Sequence, residues 1–397
     1  MNSEYIYKAI IATLSVISII FLILSLGDIS HYFWDLNVYS RAVNDYLHGG
    51  NPYRTDIDLY FVYHPYVLIL FAMIDNILSL KVFLALCYVL STLFFLVQLL
   101  AYCREEVLRL RIERRNSINW FLIPSFVYGE VGLTAFSTGN LSLFIHFFLL
   151  GAFLNGLRKQ KQLNNSVFFV GILIASLIKP YFLSYFLLLP FLLSIKKSFI
   201  VAVFITLVLS IVWVSATYFS KELYLQFLST LSSQTFGTGD MGYAIFGLTQ
   251  KYLSDKGALI AHVIIMLSVL GYLAFITQKR FSTPFVSIMV SITIALIVLL
   301  NPRMKDYDFL LAILFLNIFV YLYIPGSSLK PIALSLFIAS LPIIYSVAQG
   351  LGFSVILLIR LHQFQILGLL LLLFYIAKHL APQFHPPFVQ TQEGDRF

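Results

Sequence analysis

A single carboxylate and a scattered set of cations are the residues in this chain best suited to chemistry. Asp35 stands at the head of WDLNVYSRAVNDYLHGGNPY, in a polar, aromatic stretch from 28 to 66 that also carries Asp28, Asp45, Asp56 and Asp58. A carboxylate there can remove a proton from a hydroxyl, provided it comes within hydrogen-bond reach. The cations His64, Lys179, Arg303, Lys305 and Arg360 are far apart in sequence. Arg and Lys are the usual partners of phosphate. Trp34, Tyr39, Tyr63 and Tyr307 could stack on sugar rings, although most of the 24 Tyr are explained by the aromatic belt of a membrane protein.

The elements that must position these residues are apolar. The chain has 397 residues, 60% hydrophobic and 11% charged, against about 25% charged in an ordinary soluble domain. Hydrophobic runs of roughly 20 residues recur, each long enough to cross the ~30 Å hydrocarbon core as a helix. The expectation is an all-α polytopic membrane protein, a single integral membrane domain over 1–397. The net charge of +8 does not point to nucleic acid, because the basic residues lie in short runs between apolar segments. Cys87 and Cys103 share one apolar segment and read as packing residues without a disulfide. The run from Lys8 to Leu26 is long for a signal-peptide core and lacks a clear cleavage site, so it reads as an uncleaved first span.

Order along the chain follows from charge. Residues 36–47 place Leu36, Tyr39, Val43, Tyr46 and Leu47 on one helical face and Asn37, Arg41, Asn44 and Asp45 on the other. Such a helix would lie on the membrane, and Gly49-Gly50-Asn51-Pro52 would end it. Residues 63–78 are apolar but short, and they read as a re-entrant or interfacial segment. If they crossed, the span at 80–103 would deliver Arg104, Arg109, Arg111, Arg114 and Arg115 to the outer side, against the positive-inside bias.

Further spans follow at 118–136, 139–157, 198–218, 258–277, 281–300, 309–324, 331–350 and 354–377. Two short halves at 166–178 and 181–195 are broken at Lys179-Pro180, and 219–257 reads as a polar outer loop. That makes about twelve spans with both termini inside. The outer loop 28–79, the break at Lys179, loop 219–257 and loop 301–308 then share the outer side. Arg360 and His362 lie about two turns into the last span, and an ionisable residue inside a membrane is costly enough to suggest a role. Phosphate-binding cations, a carboxylate and aromatic rings at one membrane face together suggest glycosyl transfer from a lipid-phosphate donor.

Five motifs in order carry a resemblance: WDLNVYSRAVNDYLHGGNPY, FVYHPY, STGNLSLFIHFFLLGAFL, SLIKPYFLSYFLLLPFLL and NPRMKDYDFLLAILFL. Together they resemble the polyprenol-phosphate-dependent membrane glycosyltransferases of family 87, which have the GT-C fold and include mannosyltransferases. The likeness covers 31 to about 320. The chain departs from the family at Tyr63-His64-Pro65 (one Pro lost), at Gly139-Asn140-Leu141-Ser142 and at Asn301-Pro302, with Arg303 or Lys305 where a His is common.

The resemblance implies a catalytic core over 1–320, C-terminal spans over 321–377 and a cytoplasmic tail over 378–397. It implies transfer of a hexose, mannose by analogy, from a polyprenyl-phosphate sugar to a glycolipid or glycan acceptor on the outer face of the cytoplasmic membrane. Asp35 matches the family's base, in an inverting step that needs no second carboxylate because phosphate leaves unprotonated. From the residues alone Asp35 could equally be the N-cap of the helix it precedes, and the two roles can coexist. Arg303, Lys305, Arg360, His64 and Lys179 would bind the donor phosphate; Trp34, Tyr39, Tyr63, Asn140, Tyr307 and Asp308 would contact the sugar. Asp308 also reads as a cap, Asp28 as a cap or interfacial residue, and Glu130 as a possible cavity residue.

No cofactor is implied. Gly237-Thr238-Gly239-Asp240 lacks the Lys-Ser/Thr of a phosphate loop, and no His/Cys set has zinc spacing; a divalent cation at Asp35 stays open but is not implied, because a lone carboxylate is a poor site for one. Two other readings remain. A flippase of lipid-linked sugars would suit the helix broken at Lys179-Pro180, although the chain shows no inverted repeat. An O-antigen ligase or polymerase would need an Arg- and His-rich outer loop, and 219–257 has neither residue.

Overall fold

A computed structural model of the chain describes residues 33–54, 61–109, 138–159, 162–233, 253–278 and 283–299, with Asn301 and isolated positions elsewhere. Among the described residues all regular elements are helical. The expected span at 118–136, loop 301–308 after Asn301, Asp28, Glu130, Arg360 and His362 lie outside them, as does the span at 354–377 apart from Leu371. So do the spans at 8–26, 309–324 and 331–350, apart from isolated positions.

Helix α1 (Trp34–Leu47) buries Leu36, Val38, Tyr39, Ala42 and Val43. Its buried face is turned slightly from the expected one: Tyr46 is half-buried and Leu47 is 46% exposed. The reason is that α1 packs on protein, against the two helices that follow it, Pro65–Asp75 and Leu80–Arg109. Helix α2 (Pro65–Asp75) has 11 residues, about 16 Å, roughly half the hydrocarbon thickness. The short apolar segment therefore forms a helix too short to cross, as its length in the sequence suggests. The Asp75 carboxylate then accepts the Leu80 N–H at 2.7 Å and starts the next helix.

Helices α3 (Leu80–Arg109) and α4 (Leu141–Lys159) form the most closely packed pair. Gly151 permits it: a Cβ there would stand 2.7 Å from the Phe94 ring. Phe95 and Phe147 stack beside it with centroids 5.0 Å apart. The two helices run parallel. At their starts both meet α1, where Lys81 Nζ donates to Asn37 Oδ1 at 2.7 Å and Leu141 N–H donates to Tyr39 Oη at 3.1 Å. At their far ends Arg158 Nε donates to Glu105 Oε1 at 2.9 Å.

Helix α5 (Gln162–Ile178) returns antiparallel to α4. Asn165 lies by Gly156 at one end, and Lys179 reaches Ser142 at the other. The chain breaks at Lys179, whose φ of −142° and ψ of 116° are extended, because the ring of Pro180 disfavours the α conformation in the residue before it. From Pro180 it descends as a 3-10 segment to Leu188 and as the short α6 (Leu189–Leu192). The 3-10 rise of about 2.0 Å against 1.5 Å for α stretches this leg to about 24 Å. That nearly matches the 17-residue α5, about 26 Å long, and Leu192 arrives back beside Gly156.

Helix α7 (Ile195–Phe219) is followed after Ser220 by α8 (Lys221–Ser232). The segment 219–257 is therefore not a loop throughout. KELYLQFLSTLS keeps Phe227 and Thr230 buried and Leu223 partly buried at helical spacing, a pattern short enough to be masked by its polar composition. Helices α9 (Asp255–Gln278) and α10 (Thr283–Leu299) follow.

Three described helices are long and apolar enough to cross a membrane: Leu80–Glu106, Leu141–Lys159 and Ile195–Phe219. In α3 and α7 most of the surface faces outward, whereas α4 is largely enclosed. Apolar residues face outward from α3 and α7 along their length. This is the arrangement of a helical membrane protein, in which lipid replaces water around an apolar surface.

Candidate active site

Two residues in left-handed conformation bring the first and fourth helices together. Phe33, at φ 60°, precedes α1, and Gly139, at φ 63°, precedes α4. Only glycine adopts that conformation freely; an L-residue there costs roughly 1–2 kcal/mol. Gly139 also has no room for a side chain, since a Cβ would stand 2.8 Å from the Phe33 ring. The two turns are closed by the Asp35 N–H, which donates to Thr138 O at 3.1 Å. Phe33 thus occupies the cap position, without a side-chain cap, and Asp35 lies one residue inside the helix. The N-cap alternative for Asp35 is excluded.

Asn140 caps α4 instead. Its Oδ1 accepts the Ser142 N–H at 2.8 Å, satisfying one of the unpaired donors of a helix start. That bond fixes the amide's orientation: with Oδ1 on the backbone, Nδ2 donates to Asp35 Oδ2 at 2.7 Å. The Asp35 carboxylate therefore sits in the first turn of α1 and beside the start of α4. Both helix dipoles favour negative charge there.

A second branch leads to the cation. Lys179 Nζ donates to Ser142 Oγ at 2.5 Å and lies 5.3 Å from the centroid of the Tyr63 ring. The hydroxyls of Tyr63 and Tyr39 are 2.9 Å apart, and Tyr39 Oη accepts the Leu141 N–H. Burial, Tyr63 and the Asp35 carboxylate hold the Tyr39 phenol well above its ordinary value, so it stays protonated. Tyr63 is held from behind, where Tyr53 Oη donates to its carbonyl at 2.8 Å and Thr230 Oγ1 of α8 donates to the Tyr53 carbonyl at 2.6 Å.

The structure thus gathers Asp35, Tyr39, Tyr63, Asn140 and Lys179 into one hydrogen-bonded cluster. Trp34 adjoins it on α1, half-buried. His64 does not join it. Its ring packs against Trp213 at 5.0 Å and against Tyr66, Tyr224 and Phe227, and Nε2 is buried without a hydrogen-bond partner among the described residues. Burial lowers its pKa to about 4, so it is a neutral ring at pH 7 rather than a phosphate-binding cation. Arg303, Lys305, Tyr307, Asp308 and Arg360 lie outside the described residues. Among the described residues no group of three or more His, Cys, Asp and Glu could hold a metal ion.

Sequence reasoning passed over His146, and it named Ser142 as a departure from the family pattern without giving it a role. His146 stands one turn below Ser142 in α4, buried, with Nδ1 2.6 Å from Tyr185 Oη and Nε2 3.1 Å from Tyr181 Oη. Both tyrosines belong to the 3-10 segment that follows Lys179. The signal available was an ionisable residue in the middle of an apolar run, which by its cost points to a role.

Compared with protein-family models and with curated proteins, the chain matches none.

Proposed function

We propose that this protein is a membrane glycosyltransferase of about twelve spans with a GT-C-like fold. It takes a hexose from a polyprenyl-phosphate sugar and passes it to a lipid or glycan acceptor at the outer face of the cytoplasmic membrane. The observation that carries the reading is the linkage Asp35–Asn140–Ser142–Lys179. It joins a carboxylate poised between two helix starts to a cation, through residues from three elements remote in sequence.

In the proposed step Asp35 takes the proton of the acceptor hydroxyl as its oxygen attacks the anomeric carbon. The bond between that carbon and the phosphate oxygen breaks from the opposite face, and the polyprenyl phosphate leaves with the electron pair. Asn140 orients the base. Lys179 opposes the charge growing on the phosphate, where a fixed cation in a low-dielectric site is most effective. Trp34, Tyr39, Tyr63, Tyr307 and Asp308 contact the sugar in this reading, and Arg303, Lys305 and Arg360 add phosphate contacts.

The test is transfer from radiolabelled mannosyl polyprenyl phosphate to a membrane-lipid extract by the purified chain in proteoliposomes. Asp35→Asn should lower transfer by about 10²–10⁴-fold, the usual contribution of a general base, while keeping the wild-type melting temperature. Wild-type turnover by that variant would sink the proposal. Labelled donor crossing the bilayer with no new glycosidic bond would favour the flippase reading instead.

A further inference from the structure

At the opposite end of the α3–α4 pair from Asp35 lies a groove of about 500 Å³ lined by Leu100, Ala101, Arg104, Glu105, Leu108 and Arg158. About 36 Å of helix separates Leu80 from Arg104, so this groove is independent of the candidate active site. Its two arginines differ. Arg158 donates through Nε and Nη2 to Glu105 and through Nη1 to Gln98. That neutralises Glu105 and leaves two of the five guanidinium N–H donors. Arg104 is exposed and makes no ion pair or hydrogen bond among the described residues. The groove therefore carries one uncompensated positive charge and several unused donors.

An apolar track leads from it. Leu86, Leu90, Leu93, Val97 and Leu100 are all exposed on α3, at alternating spacings of four and three, and the next place in that series is Arg104. Such spacing is a single stripe on one helix face. A leaflet is about 15 Å deep, half the hydrocarbon thickness. A headgroup seated at Arg104 would thus lay an acyl chain along Leu100, Val97 and Leu93.

We propose that this groove binds an anionic phospholipid, its phosphodiester on Arg104 and the remaining N–H groups of Arg158, its acyl chain on the α3 stripe. One net positive charge meets one phosphodiester charge, and the bound lipid bridges the ends of the two helices that carry Asn37's partner Lys81 and Asp35's partner Asn140 at their other ends. Basic pockets between membrane helices are suited to such headgroups.

The experiment is native mass spectrometry of the full chain in detergent, with added phosphatidylglycerol or phosphatidylcholine of identical acyl chains. Wild-type protein should retain phosphatidylglycerol preferentially. Arg104→Gln should weaken that retention roughly fivefold, as expected for one arginine near a lipid phosphate, and Arg104→Lys should keep most of it. Free glycerol 3-phosphate should not displace the lipid. Lys196→Gln, which removes an exposed charge outside the groove, should change nothing. Equal retention of both lipids, unaltered retention by Arg104→Gln, or an equal loss in Lys196→Gln would overturn the site. A dimer that forms without lipid and is broken by polar substitution of Leu93 and Val97 would overturn it too, by assigning the stripe to a second copy.

Discussion

Asn140 does two jobs with one amide, and they can be separated. Its oxygen caps α4 and its nitrogen holds Asp35. Asn140→Ser keeps a capping oxygen but loses the bridge, so the melting temperature should stay near wild type while transfer falls. Asn140→Ala loses both and should also cost about 1 kcal/mol of stability, the usual value of an N-cap. Thermal unfolding measured beside transfer distinguishes the two.

His64 makes a different prediction. An unfolded imidazole takes up its proton near 6.5, the folded one only near about 4. The stability contributed by the neutral ring is thus intact above 6.5 and drains away as pH falls toward 4. His64→Phe, which keeps an aromatic ring among Trp213, Tyr224 and Phe227, should flatten the fall in melting temperature between about pH 7 and about pH 5. An unchanged slope would show that another group carries the acid sensitivity.

At the scale of elements, the site depends on turns more than on helices. The left-handed Phe33 and Gly139 seat against each other and so bring α1 to α4. Gly139→Ala should lower stability by about 1–2 kcal/mol from conformation alone. The added methyl also displaces the Phe33 ring, so transfer should fall more than stability. A variant with full activity and lowered melting temperature would mean that the turn serves folding only. The 3-10 leg has a comparable part: its two tyrosines clasp His146 while its first residue, Pro180, sets the break that leaves Lys179 beside Ser142.

For the whole molecule the parallel course of α3 and α4 puts Asn44 and Lys159 at opposite ends of the helix bundle. Both are exposed. A membrane-impermeant maleimide added to intact cells should therefore label Asn44→Cys, and should label Lys159→Cys only after permeabilisation. The native Cys103 is buried and Cys87 half-buried, so background is low. Labelling of both from one side would contradict the orientation proposed for the Asp35 cluster.

Composition and run length were enough for the helical membrane class, because 60% apolar residues in runs of this length leave few other folds open. The sequence also marked the short segment at 63–78 and the break at Lys179-Pro180, since length and proline geometry are local. Asp35, Tyr39, Tyr63, Asn140 and Lys179 were legible as residue types, but not as neighbours. Packing between helices shows that Asp35 is not a cap, that Asn140 is, and that Asn140's spare nitrogen turns toward Asp35. It also removed His64 from the cations by enclosing it in aromatic rings, and it placed His146 and Ser142 within the scaffold of the site. Such assignments rest on which helix ends meet, and that is set by packing between segments about 100 residues apart, where local pattern carries no information.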